Sequence, residues 1–203
     1  MNRDIMSISR LRMATDGKGI TTLVGFYGCP LDCKYCLNRQ CHGETVRGDY
    51  TAEELISVLA KDESYYLMTG GGVTFGGGEP LLQSKFIHEV CGLMNKEWNR
   101  IIETSLYVPW ENIELLLEDI DYWYVDIKDV RPEIYKEYTG GDNRLVLDNL
   151  KRLVEAVDAH KVCVRIPFIP GFNTQESTTQ ALAYVMENIS AMVDVEVFDY
   201  IRC

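Results

Sequence analysis

The 203-residue chain has no stretch that approaches the roughly 18 consecutive apolar residues of a membrane-spanning helix. Its first residues, MNRDIMSISR, are charged from the third position and contain no apolar signal-peptide core. It also has no low-complexity segment and no linker rich in Pro, Gly or Ser. We therefore expect a cytoplasmic protein with a single domain over residues 1–203 and no membrane partner.

The chain has no excess of positive charge, because 20 Lys and Arg are outnumbered by 31 Asp and Glu, which gives a net charge of -11. Residues 1–48 alone are locally basic, with seven Lys or Arg against four Asp or Glu. Phosphate contacts require a stronger concentration of positive charge, so nucleic-acid binding is not expected. The basic segment is either ordinary solvated surface or a docking surface for an acidic partner.

What the chain does have is an alternation of short β-rich runs with segments of helical periodicity. The β-rich runs are 22–27, 72–75, 100–105, 122–128, 161–168 and 193–198. Such alternation favours parallel strands joined by right-handed crossovers. A closed eight-unit barrel takes about 250 residues. Six units in 203 residues therefore predict an α/β fold, an open partial (β/α)6 barrel with its active site at the C-terminal strand ends.

The helical segments carry local signals of their own. TAEE predicts a capping box in which Thr51 and Glu54 satisfy each other's backbone amides. The apolar stripe Phe86, Ile87, Val90, Cys91 and Met94 predicts a helix packed on a sheet, which makes Cys91 a core residue. Further helices are predicted from about residue 110, over 144–159 and over 176–189.

Three of the seven cysteines, Cys29, Cys33 and Cys36, lie in the stretch GCPLDCKYCLN with C-x3-C-x2-C spacing. The spacing is too tight for comfortable disulfides, and an odd total argues against an oxidised framework. Three thiolates from one loop can ligate three irons of a 4Fe-4S cluster and leave the fourth iron open. We therefore predict that these three residues hold such a cluster.

Two other ligand sets are possible for this loop. Structural zinc usually takes paired C-x2-C knuckles, and the second knuckle is missing here. Cys41 could instead provide a fourth ligand and close the cluster into an electron carrier.

Two further stretches suit ligand binding at the strand ends. Glycines 76–78 follow the second predicted strand, where the backbone can approach a ligand closely, and Glu79 can accept from an ammonium group. Asp126 and Lys128 end the fourth predicted strand on the same side, and suit a ribose hydroxyl and a carboxylate. The alternatives are a tight turn for the glycines and simple pairing of neighbouring charges for Asp126 and Lys128.

Most of the chain resembles the radical S-adenosylmethionine superfamily, and more closely the activating enzymes of glycyl radical enzymes, such as pyruvate formate-lyase activase. The matching stretches, in order, are DGKGI, GCPLDCKYCLN, GGGVTFGGGEPLLQ, ETSLYVPWENI, YVDIKD, YTGGDN and RIPFIPGFN. The cysteine triplet indicates the superfamily, whereas the ETSLYVPWE and DIK stretches indicate the activating enzymes.

The resemblance implies a reaction and a set of binding residues. The reduced cluster cleaves S-adenosylmethionine to a 5'-deoxyadenosyl radical, which abstracts hydrogen from a backbone glycine of a partner glycyl radical enzyme. A flavodoxin- or ferredoxin-type protein would supply the electron. The cofactor contacts that the resemblance implies are Tyr35, Leu37, Gly77, Gly78, Glu79, Asp126, Ile127, Lys128 and Arg165. It also implies a monovalent cation near Glu103, Thr104 and Asp126.

Two departures from the family pattern affect these expectations. Some activating enzymes insert a ferredoxin-like domain after the cysteine triplet, whereas about a dozen residues separate Cys36 from the capping box here, so one cluster is expected. Ile201 stands where the family often has a late histidine near the adenine. Two other functions stay open, a radical enzyme acting on a small molecule or peptide and a non-catalytic electron-transfer protein.

Overall fold

The computed structural model describes residues 4–13, 16–43 and 48–199. Its strands are β1 (Asp4–Met13), β2 (Ile20–Phe26), β3 (Gly48–Asp49), β4 (Gly72–Gly77), β5 (Asn99–Thr104), β6 (Tyr122–Asp126), β7 (Val162–Phe168) and β8 (Asp194–Asp199). Its helices are α1 (Ala52–Leu59), α2 (Glu63–Thr69), α3 (Ser84–Leu93), α4 (Trp110–Glu114), α5 (Pro132–Thr139), α6 (Asn143–Ala156) and α7 (Gln175–Asn188). None of the helices described is long and apolar enough to cross a membrane.

The chain divides into two compact units. The first contains Met1–Cys29, Asn38–Glu103 and Pro109–Trp123, and the second contains Pro30–Leu37, Thr104–Val108 and Tyr124–Cys203. The boundary crosses the chain on both sides of residues 30–37, which include two of the three clustered cysteines.

The strands of the first unit follow the order β3-β1-β2-β4-β5. The pairs β2–β4 and β4–β5 are parallel, whereas β1 runs antiparallel to β2 and to β3. In the β2–β4 register, Phe26 lies opposite Gly77, so the cysteine loop and the glycine loop leave the sheet side by side. The parallel pairs confirm the predicted βαβ units, and β1 adds an antiparallel strand that the periodicity did not predict.

The local signals predicted for α1 and α3 are confirmed, whereas α2 was not predicted. Thr51 accepts from the Glu54 amide at 3.1 Å and donates its own amide to the Glu54 carboxylate at 2.8 Å, which completes the capping box. In α3, Phe86, Ile87 and Cys91 are buried, which confirms the apolar stripe. Because one helical face carries these residues, α3 buries its apolar surface while its polar face stays in water.

In the second unit, β7 and β8 pair in parallel, and α7 lies between them in the chain. On α6, Val146, Leu150 and Leu153 are buried at helical spacing. The helix ends at Ala156 rather than at the predicted residue 159. Helix α5 was not predicted as a separate element. It ends at Thr139, and the following Gly140 caps it with a left-handed φ of 79°.

Candidate functional site

In the first unit, the glycine loop is fixed to the start of the cysteine loop by backbone hydrogen bonds. The Gly78 amide donates to the carbonyl of Phe26 at 2.9 Å, and the Glu79 amide donates to that of Gly28 at 2.8 Å. Gly77 has a φ of +94°, and a Cβ there would lie 2.7 Å from the Phe26 nitrogen. Only glycine can make this turn at so close an approach to β2.

Asn38, two residues beyond Cys36, provides a second hydrogen-bonded connection between these loops. Its side-chain amide donates to the Gly77 carbonyl at 2.8 Å, and its own carbonyl accepts from the Cys41 amide at 2.8 Å. The residues that follow the cysteine triplet therefore orient the backbone of the glycine loop directly. Sequence reasoning assigned no role to Asn38, because no spacing rule signals a single side-chain bond of this kind.

The Glu79 side chain is 1% exposed. One of its carboxylate oxygens accepts from the Leu81 amide at 3.3 Å and caps the short 3-10 helix Pro80–Gln83. This places a carboxylate group directly beside the glycine turn. It can therefore pair with a positive group of a ligand.

The cysteines fall into two groups by burial. Cys29, Cys33 and Cys36 are half-buried, whereas Cys41 is 3% exposed. Cys91 and Cys163 are buried as well, and none of the six cysteines that the structure describes forms a disulfide. The three thiols with C-x3-C-x2-C spacing are thus the accessible ones, which fits a group bound by thiolates.

Cys41 also differs from the three loop cysteines because it lies in a short helix. Its carbonyl accepts from the Gly28 amide at 2.9 Å, within a 3-10 helix formed by Arg39–His42. Its buried side chain anchors this turn in the core. Within the described ranges, no three His, Cys, Asp or Glu side chains are grouped closely enough for a single metal ion.

In the second unit, Tyr35 lies between Cys33 and Cys36 and packs edge-on against other aromatic rings. Leu37 is 62% exposed.

Burial raises the pKa of the Cys33 thiol, and the positive charge of Lys128 acts in the opposite direction. Lys128 is therefore placed to favour the thiolate that an iron ligand must be.

The second unit also holds a three-residue charge cluster, formed by Asp126 at the end of β6, Lys128 two residues beyond it, and Arg165 in the middle of β7. Asp126 accepts from Lys128 Nζ at 2.8 Å and from Arg165 Nε at 2.7 Å. The Ile127 amide, directly after β6, donates to the Arg165 carbonyl at 2.9 Å, which holds the end of β6 beside the middle of β7. The predicted residues do meet here, and the carboxylate pairs with both cations.

The electrostatics of this charge cluster follow from its burial and its composition. Burial disfavours the ionised form of Asp126, but the charges of Lys128 and Arg165 outweigh that effect and lower its pKa to about 2. Burial disfavours the charged form of Lys128, yet Asp126 raises its pKa above the ordinary value. With two cations and one anion, the cluster carries a net charge of +1 and suits an anionic ligand group.

The turn after β5 is strained. Leu106 is buried and has a φ of +56°, unusual for a residue with a side chain. Its amide donates to Thr104 Oγ1 at 2.9 Å, and its carbonyl accepts from Asn149 Nδ2 at 2.9 Å. Asn149 also donates to the Val108 carbonyl at 2.9 Å. Thr104, a predicted cation ligand, thus has a hydroxyl engaged in this turn.

The predicted residues are therefore distributed between the units. The first unit holds Cys29, Gly77, Gly78, Glu79 and Glu103, and the second holds Cys33, Tyr35, Cys36, Leu37, Thr104, Asp126, Ile127, Lys128 and Arg165. In the first unit, Gly77 ends β4 and Glu103 directly precedes Thr104, the last residue of β5; in the second, Asp126 ends β6 and Arg165 lies within β7. Ile201, at the expected place of the adenine histidine, lies outside the described residues.

Comparison with known proteins gives the family. The model of the radical SAM superfamily matches residues 23–182. A pyruvate formate-lyase-activating enzyme of Clostridium pasteurianum is 35% identical over 186 residues, which cover 91% of this chain and 77% of that protein. A 4-hydroxyphenylacetate decarboxylase activating enzyme of Clostridioides difficile is 30% identical over 239 residues, covering 85% of this chain and 75% of that protein.

A solved structure confirms the fold. The crystal structure of a domain of pyruvate-formate lyase-activating enzyme from Bacteroides vulgatus ATCC 8482 matches with a TM-score of 0.52 at 25% identity. The match covers 63% of this chain and 78% of that one. The parallel pairs β2–β4, β4–β5 and β7–β8 agree with the predicted open partial barrel. The chain belongs to the radical S-adenosylmethionine superfamily, among its glycyl radical enzyme activating enzymes.

Proposed function

We propose that this chain holds a 4Fe-4S cluster with Cys29, Cys33 and Cys36, binds S-adenosylmethionine and activates a partner glycyl radical enzyme. The observation that carries the proposal is that these three thiols are the accessible ones among the described cysteines. They also lie within eight consecutive residues, so one short loop presents all of them. The family of the chain supports the same assignment.

The charged side chains of the site match the two charged groups of the amino acid part of S-adenosylmethionine. Glu79 is a buried carboxylate beside the glycine turn and suits the ammonium group. The charge cluster of Lys128, Arg165 and Asp126 is net positive and suits the carboxylate of the ligand. Asp126 can also accept a hydrogen bond from a ribose hydroxyl. Gly77 and Gly78 let the ligand approach the backbone, while Tyr35, Leu37 and Ile127 provide packing or backbone contacts.

The cluster, when bound and reduced, supplies the electron that cleaves the sulfonium bond of S-adenosylmethionine, and the radical so formed takes hydrogen from the glycine of the partner. The side chains of this protein need to transfer no proton in that step. Their task is to bind and orient S-adenosylmethionine and to exclude water. The partner is a protein in this proposal because the relatives named above activate lyases and decarboxylases.

The sequence also led us to expect a monovalent cation, an external electron donor, a cytoplasmic location and a single domain. The Asp126 carboxylate already accepts from two cationic side chains, which would repel a monovalent cation, so that ion stays a prediction. A low-potential electron donor of the flavodoxin or ferredoxin type and a reducing, cytoplasmic location both follow from the need to reduce the cluster. The single-domain organisation over residues 1–203 also stays a prediction.

The experiment that tests the proposal is anaerobic cluster reconstitution of the wild-type chain and of single Cys→Ala variants. We expect loss of the cluster and of 5'-deoxyadenosine formation in Cys29→Ala, Cys33→Ala and Cys36→Ala, because three thiolates are the minimum for an open iron. Cys41→Ala, and Cys91→Ala as a second buried control, should keep iron content and cleavage. A loss in Cys41→Ala equal to that of the other three would support a closed electron-transfer cluster instead.

The substrate is tested by electron paramagnetic resonance on an anaerobic mixture with a candidate glycyl radical enzyme. A persistent doublet whose splitting collapses when the glycine α-position is deuterated would support a protein substrate. If candidate partners yield no such signal while a small molecule is turned over with good coupling, the activating function is wrong.

A further inference from the structure

Residues 30–37 form no helix or strand, yet they carry two of the three proposed cluster ligands. The last turn of α5 holds them. The Asp32 amide donates to the Thr139 carbonyl at 2.9 Å, and the Lys34 amide donates to the Tyr138 carbonyl at 3.0 Å. The last carbonyls of a helix have no partner within it, so α5 can accept these bonds without losing any of its own.

The side chain of Tyr35 adds an aromatic contact to the same place. Its ring lies 6.3 Å from the ring of Tyr138 and 5.5 Å from that of Phe172, at interplanar angles of 75° and 82°. The rings of Tyr138 and Phe172 are themselves 5.0 Å apart at 68°. Each pair has the edge-to-face geometry that aromatic rings prefer, so the three rings form a closed triangle.

Gly141 provides a third contact through the absence of a side chain. A Cβ at this position would lie 2.7 Å from Leu31 Cδ2 and 3.1 Å from the ring of Tyr107. Leu31 is 3% exposed, so it has little room to move away. A side chain at position 141 would therefore force Leu31 to shift against the α5 end.

We propose that residues 138–141 together with Phe172 form a clamp, here called the α5 clamp, that positions the cysteine loop for cluster binding. The proposal rests on the proposed function, because it takes Cys33 and Cys36 as cluster ligands. Tyr138, Gly141 and Phe172 are positioning residues in this account.

The α5 clamp also has an electronic consequence. It engages the amides of Asp32 and Lys34, and a further bond engages the Cys36 amide with the Cys33 carbonyl at 3.1 Å. Amides that are engaged in this way cannot donate to cluster sulfurs. Hydrogen bonds to sulfur and exposure to water both set the reduction potential of a cluster. An intact clamp therefore keeps the potential low, as a strong one-electron donor requires.

Hydrogen exchange on the full chain, measured with and without a reconstituted cluster, tests the α5 clamp. We expect the amides of Asp32 and Lys34 to be protected in the wild type. Their exchange should be about tenfold faster in Tyr138→Leu and in Phe172→Leu, which each remove two ring contacts. Tyr138→Phe keeps the ring and should behave as the wild type. Equal exchange in Tyr138→Leu and the wild type would overturn the proposal.

Gly141→Ala gives an independent test that leaves the aromatic rings intact. It should also raise exchange at residues 32 and 34, whereas Gly92→Ala should not, because nothing lies within 4 Å of Gly92. If Gly141→Ala leaves exchange at these two amides unchanged, the proposal is wrong.

Two measurements on the reconstituted protein separate positioning from general stability. In both Leu variants, a chelator should remove iron about tenfold faster, and the midpoint potential should shift to more positive values. General destabilisation would lower the melting temperature without shifting the potential of the folded fraction. An unchanged potential would contradict the clamp. If the wild type holds no cluster, the proposed function fails, and hydrogen exchange in the cluster-free chain still decides whether the α5 clamp exists.

Discussion

Asp126→Asn tests the charge cluster of the second unit, because asparagine keeps the shape of the side chain and removes its charge. The pKa of Asp126 is lowered from 3.8 to about 2, and the burial that opposes this shift is outweighed by Lys128 and Arg165. One pKa unit corresponds to about 1.4 kcal/mol, so the ionised carboxylate contributes on the order of 2 kcal/mol to stability near neutral pH. We expect Asp126→Asn to lower the free energy of unfolding by about that amount at pH 7.

The pH dependence of this difference has a definite sign. The pKa of Asp126 is lower in the folded state than in the unfolded state, so the contribution is present above the ordinary value of 3.8. It is lost as the pH falls through about 2, where the folded protein also becomes protonated. The stability difference between the wild type and Asp126→Asn should therefore fall to about half at pH 3.

Urea denaturation followed by circular dichroism, at pH 7 and at pH 3, measures both effects. The matched control is Asp142→Asn, which breaks an exposed pair with Arg144. Asparagine can also cap α6, so no measurable change is expected from the control. If Asp126→Asn is as stable as the wild type at pH 7, the ion pairs of Asp126 do not stabilise the fold. A difference that stays the same at pH 3 would contradict the lowered pKa.

Two other substitutions test the first unit. Glu79→Gln should keep the iron-sulfur cluster but weaken S-adenosylmethionine binding by about 2 to 5 kcal/mol, because the ligand ammonium loses its buried partner. An unchanged affinity in anaerobic calorimetry would contradict this role of Glu79. Asn38→Ala removes the bond to the Gly77 carbonyl and should destabilise the chain by about 1 kcal/mol while raising the KM for S-adenosylmethionine. Asn188→Ala, which removes an exposed bond of 3.1 Å to the carbonyl of Tyr184, is the control and should leave KM unchanged.

The parallel part of the fold was predictable from local patterns. The bounds of strands β2, β4, β5, β6, β7 and β8 each lie within two residues of a predicted run. β4 and β7 are nearly continuous buried segments, whereas β8 is largely exposed and was recognisable from its alternation of polar and apolar residues. β1 was missed because DIMSISRLRM mixes polar and apolar residues, and its pairing with β2 is a contact between strands. β3 consists of two residues, which is too short to give a pattern.

In the candidate site, too, the residues that form a local sequence pattern were predictable, whereas contacts between distant segments were not. Cys29, Cys33 and Cys36 are recognisable because the ligand spacing is itself a sequence pattern. The strand alternation also placed Asp126 and Lys128 on one side, and their 2.8 Å contact confirms that placement. The bond from Asn38 to Gly77 joins segments that are 39 residues apart, so no local pattern could reveal it.

Leu106 shows how a strained backbone can be retained without glycine. Its left-handed conformation, with a φ of +56°, costs about 1 to 2 kcal/mol relative to an ordinary one. Replacing a fully buried leucine by a small residue costs about 2 to 5 kcal/mol, and Leu106 is 0% exposed. Burial therefore outweighs strain, and glycine at this position would relax the backbone yet lower the net stability. The turn after β5 is anchored from inside by a side chain, which makes it stiffer than a glycine turn of the same shape.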